Sequence, residues 1–189
     1  MLKEKLILAS QSPRRAEILT AIGWEFAASA ANIDESLEPD EAAEAYVRRL
    51  ARTKAETVAQ RFPDRMVIGA DTTVVVAGEI LGQPEDDEDA RRMLRLLSGQ
   101  WHEVVTGVAQ VRAGSAQELI DHETTRVLFA DMSTEEIDWY VSTGEPQGKA
   151  GAYGIQGKAA LFIKGIQGDY FNVVGLPVRL VFELLGRIV

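Results

Sequence analysis

The chain has no cysteine and only two histidines among its 189 residues. The first absence removes disulfides, thiolate metal sites and a thiol nucleophile together. His102 and His122 have neither a metal-ligand spacing nor an evident triad partner, so they read as ordinary strand residues. Long apolar runs are missing too. Leu6–Ala9 is far too short for the core of a signal peptide, and no run approaches the ~20 residues of a membrane span. A soluble protein of the cytoplasm, with no membrane partner, is the expectation. Basic residues are also in deficit: 20 Lys and Arg against 29 Asp and Glu give a formal net charge of −9. That balance excludes the extended basic surface that general nucleic-acid binding requires. A polyphosphate ligand would have to be met by local basic groups, helped by a divalent cation.

At 46% hydrophobic, the chain can bury one substantial core. A single domain over residues 1–189 is expected, and two lobes sharing a cleft would also fit. The 16 Gly and 6 Pro are spread as punctuation, without a linker, repeat or low-complexity tract. Apolar patterning predicts strands at 6–9, 26–30, 66–70 continuing through 73–76, 80–81, 103–111, 118–129, 160–166 and 171–174. Helices are predicted near 14–22, 41–60, 86–97, 134–141 and 177–185. Ser133-Thr134-Glu135-Glu136 forms a capping box at the start of the fourth. The mixture indicates an α/β or α+β protein with a mixed sheet.

The most informative stretch, Leu6 to Arg15, runs from the first strand into the first helix. Pro13 suits a first helical position and Ser12 its N-cap. Two arginines there are unusual, because a helix start carries partial positive charge and tolerates cations only when something negative joins them. A strand, a hydroxyl-bearing turn and a basic helix start together suit phosphate. A solvated first turn is the competing reading.

Asp71 follows the compact apolar run Met66–Ala70, and ligands bind beyond the carboxyl ends of strands in open α/β sheets. A carboxylate there can hold a hard cation or take a proton from water, or it can merely cap a turn. Asp34 and Glu35 offer a second carboxylate, or a solvated acidic turn. Lys54 interrupts the stripe Val47, Leu50, Ala51, Val58, so its ammonium must either reach solvent or meet an anion. The glycine-rich stretch Lys149–Gly157 lacks the spacing of a P-loop or a dinucleotide fingerprint. Tyr153 or Gln156 could still bring it to a base.

In this order, LILASQSPRRAEIL, IDES, LARTKA, IGADTTVVV, LSGQWHEVVTGV, GEPQGKAGAYGIQG and GDYFNVVGLP closely resemble the Maf family of nucleoside triphosphate pyrophosphatases over nearly the whole chain. The resemblance implies an α/β fold related to the inosine triphosphate pyrophosphatases, with a mixed twisted sheet flanked by helices and two lobes around a nucleotide cleft. It implies Mg²⁺- or Mn²⁺-dependent hydrolysis of a nucleoside triphosphate to the monophosphate and pyrophosphate, by a homodimer. GADT with GAYGIQG resembles the branch that prefers dTTP and UTP. By position, Asp71 matches the catalytic proton acceptor, while Arg14, Thr72 and Gln156 match positions that set base preference. Ser10, Arg15, Glu35 and Lys54 match residues of the phosphate and metal site, with Glu35 and Asp71 as the metal carboxylates. One position departs from the pattern: Gly82-Gln83-Pro84 stands where the family usually reads Gly-Lys-Pro. Gln83 can donate a hydrogen bond but carries no charge. A nucleotide-binding regulator of cell division with little turnover is the alternative that Gln83 favours.

Overall fold

The structure, a computed structural model, describes residues 5–113 and 118–186. Within them the chain forms β1 (Leu6–Ala9), α1 (Pro13–Ala21), β2 (Phe26–Ala28), α2 (Ala43–Ala59), β3 (Met66–Val76), β4 (Glu79–Leu81) and α3 (Asp87–Leu97). It continues with β5 (Trp101–Arg112), β6 (Glu118–Phe129), α4 (Thr134–Ser142), β7 (Ile163–Gln167), α5 (Tyr170–Val174) and α6 (Val178–Gly186). The strands form a seven-stranded sheet ordered β2-β1-β3-β5-β6-β7, with β4 paired to β3. β1 runs parallel to β2 and β3, whereas β4 on β3 and β7 on β6 are antiparallel. This is the expected mixed α/β sheet with helices against it.

The chain divides into two compact units. One runs to Asp71 and includes Thr106–Glu123 and the chain from Gly175 onward; the other holds Thr72–Val105 and Thr124–Val174. The first unit is organised by α2. Its buried stripe comprises Ala43, Val47, Leu50, Ala51, Lys54, Ala55, Val58 and Ala59. Small residues and glycines bring this helix unusually close to the sheet. A Cβ on Gly69 would lie 2.1 Å from the Ala51 carbonyl oxygen, and one on Gly107 would lie 2.3 Å from that of Val47. Gly69→Ala is therefore expected to cost about 1–3 kcal/mol, through overpacking against backbone that cannot yield like a side chain. Urea unfolding of the variant checks this, and an unchanged midpoint would contradict the close approach.

In the second unit, Asp86 caps α3 by accepting the Asp89 amide at 2.8 Å, and Ser133 and Glu136 complete the expected capping box of α4. His102 is buried, its ring edge-on to Phe129 and its Nε2 2.8 Å from the Tyr153 hydroxyl. Burial pushes its pKa down to about 4 despite the opposing hydrogen bond of the Gln100 backbone. It is a neutral core histidine on β5.

Some local expectations change. The two runs 66–70 and 73–76 form one continuous strand, so Asp71 lies within β3 rather than beyond it. The β-branched run from Thr72 to Val76 carries the extended backbone through. Residues 158–162 form a 3₁₀ turn before β7, and Tyr170–Val174 is a short helix, not a strand. There the Phe171 backbone amide donates to the Asp169 carboxylate at 2.8 Å, and the buried Asn172 side chain donates from Nδ2 to the Val104 carbonyl at 2.9 Å. These bonds outweigh the strand preference of Phe and Val.

Candidate active site

Asp71 stands two residues beyond Gly69, on the same face of β3. Lys54 stands three beyond Ala51 on α2, so the close approach at Gly69 delivers both side chains to one place. Lys54 Nζ donates to Asp71 Oδ1 at 2.7 Å, and both side chains are about nine-tenths buried. The same ammonium lies 2.9 Å from Glu35 Oε1. Of the two outcomes open to this lysine, it meets anions. Burial raises the pKa of Asp71 above the ordinary carboxylate value. The charges of Lys54 and Arg15 and the Lys54 hydrogen bond oppose that rise, while Glu35 adds to it.

Neighbouring carboxylates at 34 and 35 look alike in sequence, and geometry separates them. Asp34 Oδ1 accepts from the Ser36 amide at 2.9 Å and the Ser36 hydroxyl at 2.6 Å, a local turn that leaves its carboxylate exposed. Those two bonds hold the Asp34 pKa below its ordinary value. Glu35 alone of the two reaches Lys54. Its segment is fastened to α2, since Tyr46 donates to the Glu35 carbonyl at 2.9 Å and Arg49 to the Ser36 carbonyl at 3.0 Å. Arg49 also grips Glu41 with two bonds of 2.7 and 2.6 Å. Burial, then the negative charges of Asp71 and Glu35, push the Tyr46 phenol up to about 12, so it remains a donor. Tyr46 is not among the residues that the sequence motifs single out. Its spacing of eight from Lys54, on the same side of α2, is the one signal that points to it.

The basic helix start is more internal than a solvated turn. Pro13 opens α1 and Ser12 is its extended N-cap, but the Ser12 hydroxyl caps nothing. The Ser10 hydroxyl instead accepts the Ser12 amide and Arg15 Nη1, each at 3.1 Å. Arg15 is 9% exposed, and its Nε donates to the Gly175 carbonyl at 2.7 Å. Burial lowers the Arg15 pKa, opposed by the carboxylates of Asp71 and Glu35; a guanidinium stays charged regardless. Arg14 is half-buried, and burial lowers its pKa too, against the pull of Glu17.

Ser10, Arg14, Arg15, Glu35, Lys54 and Asp71 all belong to the first unit. Thr72, Gln83 and Gln156 belong to the second. Thr72 follows Asp71 directly on β3 and is partly exposed, while Gln83 and Gln156 are exposed on loops. Among the described residues, no group of three or more His, Cys, Asp or Glu forms a metal cage. Glu35 and Asp71 nonetheless form a pair of hard oxygen donors converging on a single cation, the Lys54 ammonium. Mg²⁺ is commonly held by one or two carboxylates together with substrate phosphates, so this donor set fits an ion that arrives with a phosphorylated ligand.

A family model described as Maf-like protein matches residues 5–188. The chain belongs to the Maf family. Relatives of this Maf-like chain include a dTTP/UTP pyrophosphatase of Symbiobacterium thermophilum, 52% identical over 185 residues, covering 97% of this chain and 94% of that one. Another dTTP/UTP pyrophosphatase, from Moorella thermoacetica, is 50% identical over 182 residues, covering 96% and 94%. Among solved structures, a HAM1 protein from Coxiella burnetii superposes with a TM-score of 0.56 at 16% identity, over 97% of this chain and 99% of that one. The Staphylococcus aureus Ham1 protein gives 0.50 at 15% identity, over 68% and 73%. These structural likenesses bear on the fold alone, and the Maf-like chain shares the mixed α/β fold of the HAM1 proteins.

Proposed function

We propose that this protein is a nucleoside triphosphate pyrophosphatase that hydrolyses dTTP and UTP to the monophosphate and pyrophosphate, with both units serving as one domain. The buried Lys54–Asp71 pair with Glu35 at its edge carries this reading. The names of relatives about half identical to it support the substrate choice. Glu35 and Asp71 would hold Mg²⁺ or Mn²⁺, and a divalent ion there supplies positive charge that offsets the triphosphate.

In this mechanism Asp71 acts as general base. Burial raises its affinity for a proton, while Lys54 keeps it ionised enough to accept one. It takes a proton from the attacking water as the oxygen–phosphorus bond forms at the α position. The bond to the bridging oxygen then breaks, and pyrophosphate leaves without a covalent enzyme intermediate. Arg15, fixed by Ser10 and the Gly175 carbonyl, offers preorganised positive charge at no further cost in side-chain freedom. Ser10 already accepts two hydrogen bonds, so its own proton is left to donate to a phosphate oxygen. Arg14, Thr72 and Gln156 would contact the base. A cytoplasmic homodimer completes the reading, and light scattering would test the dimer.

A pyrophosphate-release screen over common and modified triphosphates, with each metal, tests the assignment. Turnover confined to pyrimidine triphosphates is expected, and release from none of them would end it. Gln83, neutral and exposed, favours a second reading as a nucleotide-binding regulator of cell division; tight dTTP binding without any release would establish that one. In the enzyme, Gln83→Lys is expected to raise kcat/KM for dTTP about fivefold, because a charge-assisted bond to phosphate is roughly twice as strong as a neutral one. An unchanged kcat/KM would mean that residue 83 does not meet phosphate.

A further inference from the structure

Glu145, which the pyrophosphatase mechanism does not use, sits in the second unit with both carboxylate oxygens engaged. Oε1 accepts from the Tyr140 hydroxyl at 3.0 Å and the Ala159 amide at 3.3 Å. Oε2 accepts from the Lys158 amide at 2.9 Å and lies 3.9 Å from Lys158 Nζ. Its side chain is 15% exposed. Burial works to raise its pKa, but the Lys158 amide, the Tyr140 hydroxyl and the Ala159 amide together hold it below its ordinary value. The carboxylate is thus ionised at neutral pH and bound to two backbone amides at the start of the 158–162 turn.

Those contacts frame the segment Gly154–Gly157. At one end, the Gly154 amide donates to the Tyr140 hydroxyl oxygen at 3.4 Å. At the other, a Cβ on Gly157 would lie 2.3 Å from Glu145 Oε1, so only glycine lets the chain pass the carboxylate this closely. The Gly157 amide closes the turn on the Gly154 carbonyl at 3.0 Å. Between the two ends Ile155 is buried and Gln156 is exposed. Glu145 also gives its backbone carbonyl to Lys149, whose aliphatic stem lies 2.9 Å from the Cβ position of Gly154. One acidic residue therefore joins α4, the loop after it and both sides of the turn that displays Gln156.

We propose that Glu145 is the positioning residue for Gln156, setting selectivity for the nucleobase without touching the nucleotide. This rests on the reading of Gln156 as a base contact. Glu145→Gln keeps the volume and one acceptor, but turns an NH₂ group toward amides that need an acceptor. The expected result is an increase of about tenfold in KM for dTTP, with kcat within about threefold of the parent, and a similar loss of preference for dTTP over dATP. Gly157→Ala, which displaces the carboxylate instead of neutralising it, should move both quantities the same way. Hydrogen exchange adds a readout independent of turnover: amides of 154–160 exchange faster in Glu145→Gln, while those of α2 and β3 are unchanged. Unaltered exchange at 154–160, or a fall in kcat alone with selectivity intact, would overturn the inference. Should the parent hydrolyse no triphosphate, the exchange result still decides the positioning role, and it is the pyrophosphatase reading that fails.

Discussion

Asp71→Asn is expected to lower pyrophosphate release from dTTP by about 10²–10⁴-fold, the usual contribution of a positioned general base. The substitution preserves shape, and the amide oxygen can still accept from Lys54 Nζ, which lies 2.7 Å from Oδ1 in the parent. The capacity to take a proton is lost, together with the negative charge that would help hold a divalent ion. Stability should behave differently. Burial is the largest influence on this carboxyl and outweighs its cationic neighbours, so the ionised group is held at a cost in the folded protein. Asp71→Asn removes that cost but leaves the buried Lys54 ammonium with Glu35 as its remaining anion, so its loss of stability should be smaller than that of Lys54→Met. Retention of more than a tenth of parental turnover would remove Asp71 from the role of base.

The raised pKa also fixes the direction of the pH response. A carboxyl that binds its proton more tightly in the folded state gives its stability contribution below the ordinary carboxylate range. That contribution is lost as pH rises through the folded value. Turnover runs the opposite way, because the base must be ionised, so activity climbs with pH through the same range.

Lys54→Met should combine both effects. Methionine fills similar space but leaves Asp71 buried without its ion-pair partner, and Glu35 without the cation 2.9 Å away. Breaking a buried pair from one side costs about 3–5 kcal/mol. The loss should be largest near neutral pH and smaller in acid, where Asp71 becomes protonated and no buried charge remains. With the lowering influence of Lys54 gone, the Asp71 pKa rises further and the acid limb of the activity profile moves to higher pH. Urea unfolding at about pH 5 and about pH 8 measures the first effect, and a pH–rate profile the second. Equal destabilisation at both pH values would show that Asp71 is not the group left exposed to the loss.

The sequence made the local architecture largely legible where one residue type dictates one conformation. The capping box at Ser133, the bounds of β6 and the anomaly of Lys54 on an apolar stripe all carried through. It was less informative where distant partners decide. Residues 171–174 carry Phe and Val, which favour strands, yet Asp169 and the Val104 carbonyl draw them into a helical turn. Residues 160–162 leave the expected strand for a 3₁₀ turn whose start is held by a carboxylate thirteen positions before Lys158, bound to the Lys158 amide. At the site, Lys54 and Asp71 were legible individually, but the choice between Asp34 and Glu35 was not, since it depends on which carboxylate the Ser36 turn consumes. Arg15 offered no sequence cue to the tether on its Nε. Its acceptor, the Gly175 carbonyl, lies 160 residues away.

That tether has a consequence for synthesis. The unit holding Arg15, Lys54 and Asp71 is assembled from three separated stretches of chain, the last beginning at Gly175. A ribosome adding about 5–20 residues per second leaves Arg15 waiting roughly 10–30 s for its acceptor. During that interval Arg15 Nε lacks the Gly175 carbonyl, and the bonds to the Ser10 hydroxyl are left to hold the strand-to-helix turn. A nascent chain carrying every polar residue of the candidate centre therefore cannot yet hold them in place, and competence arrives only once the closing stretch has docked.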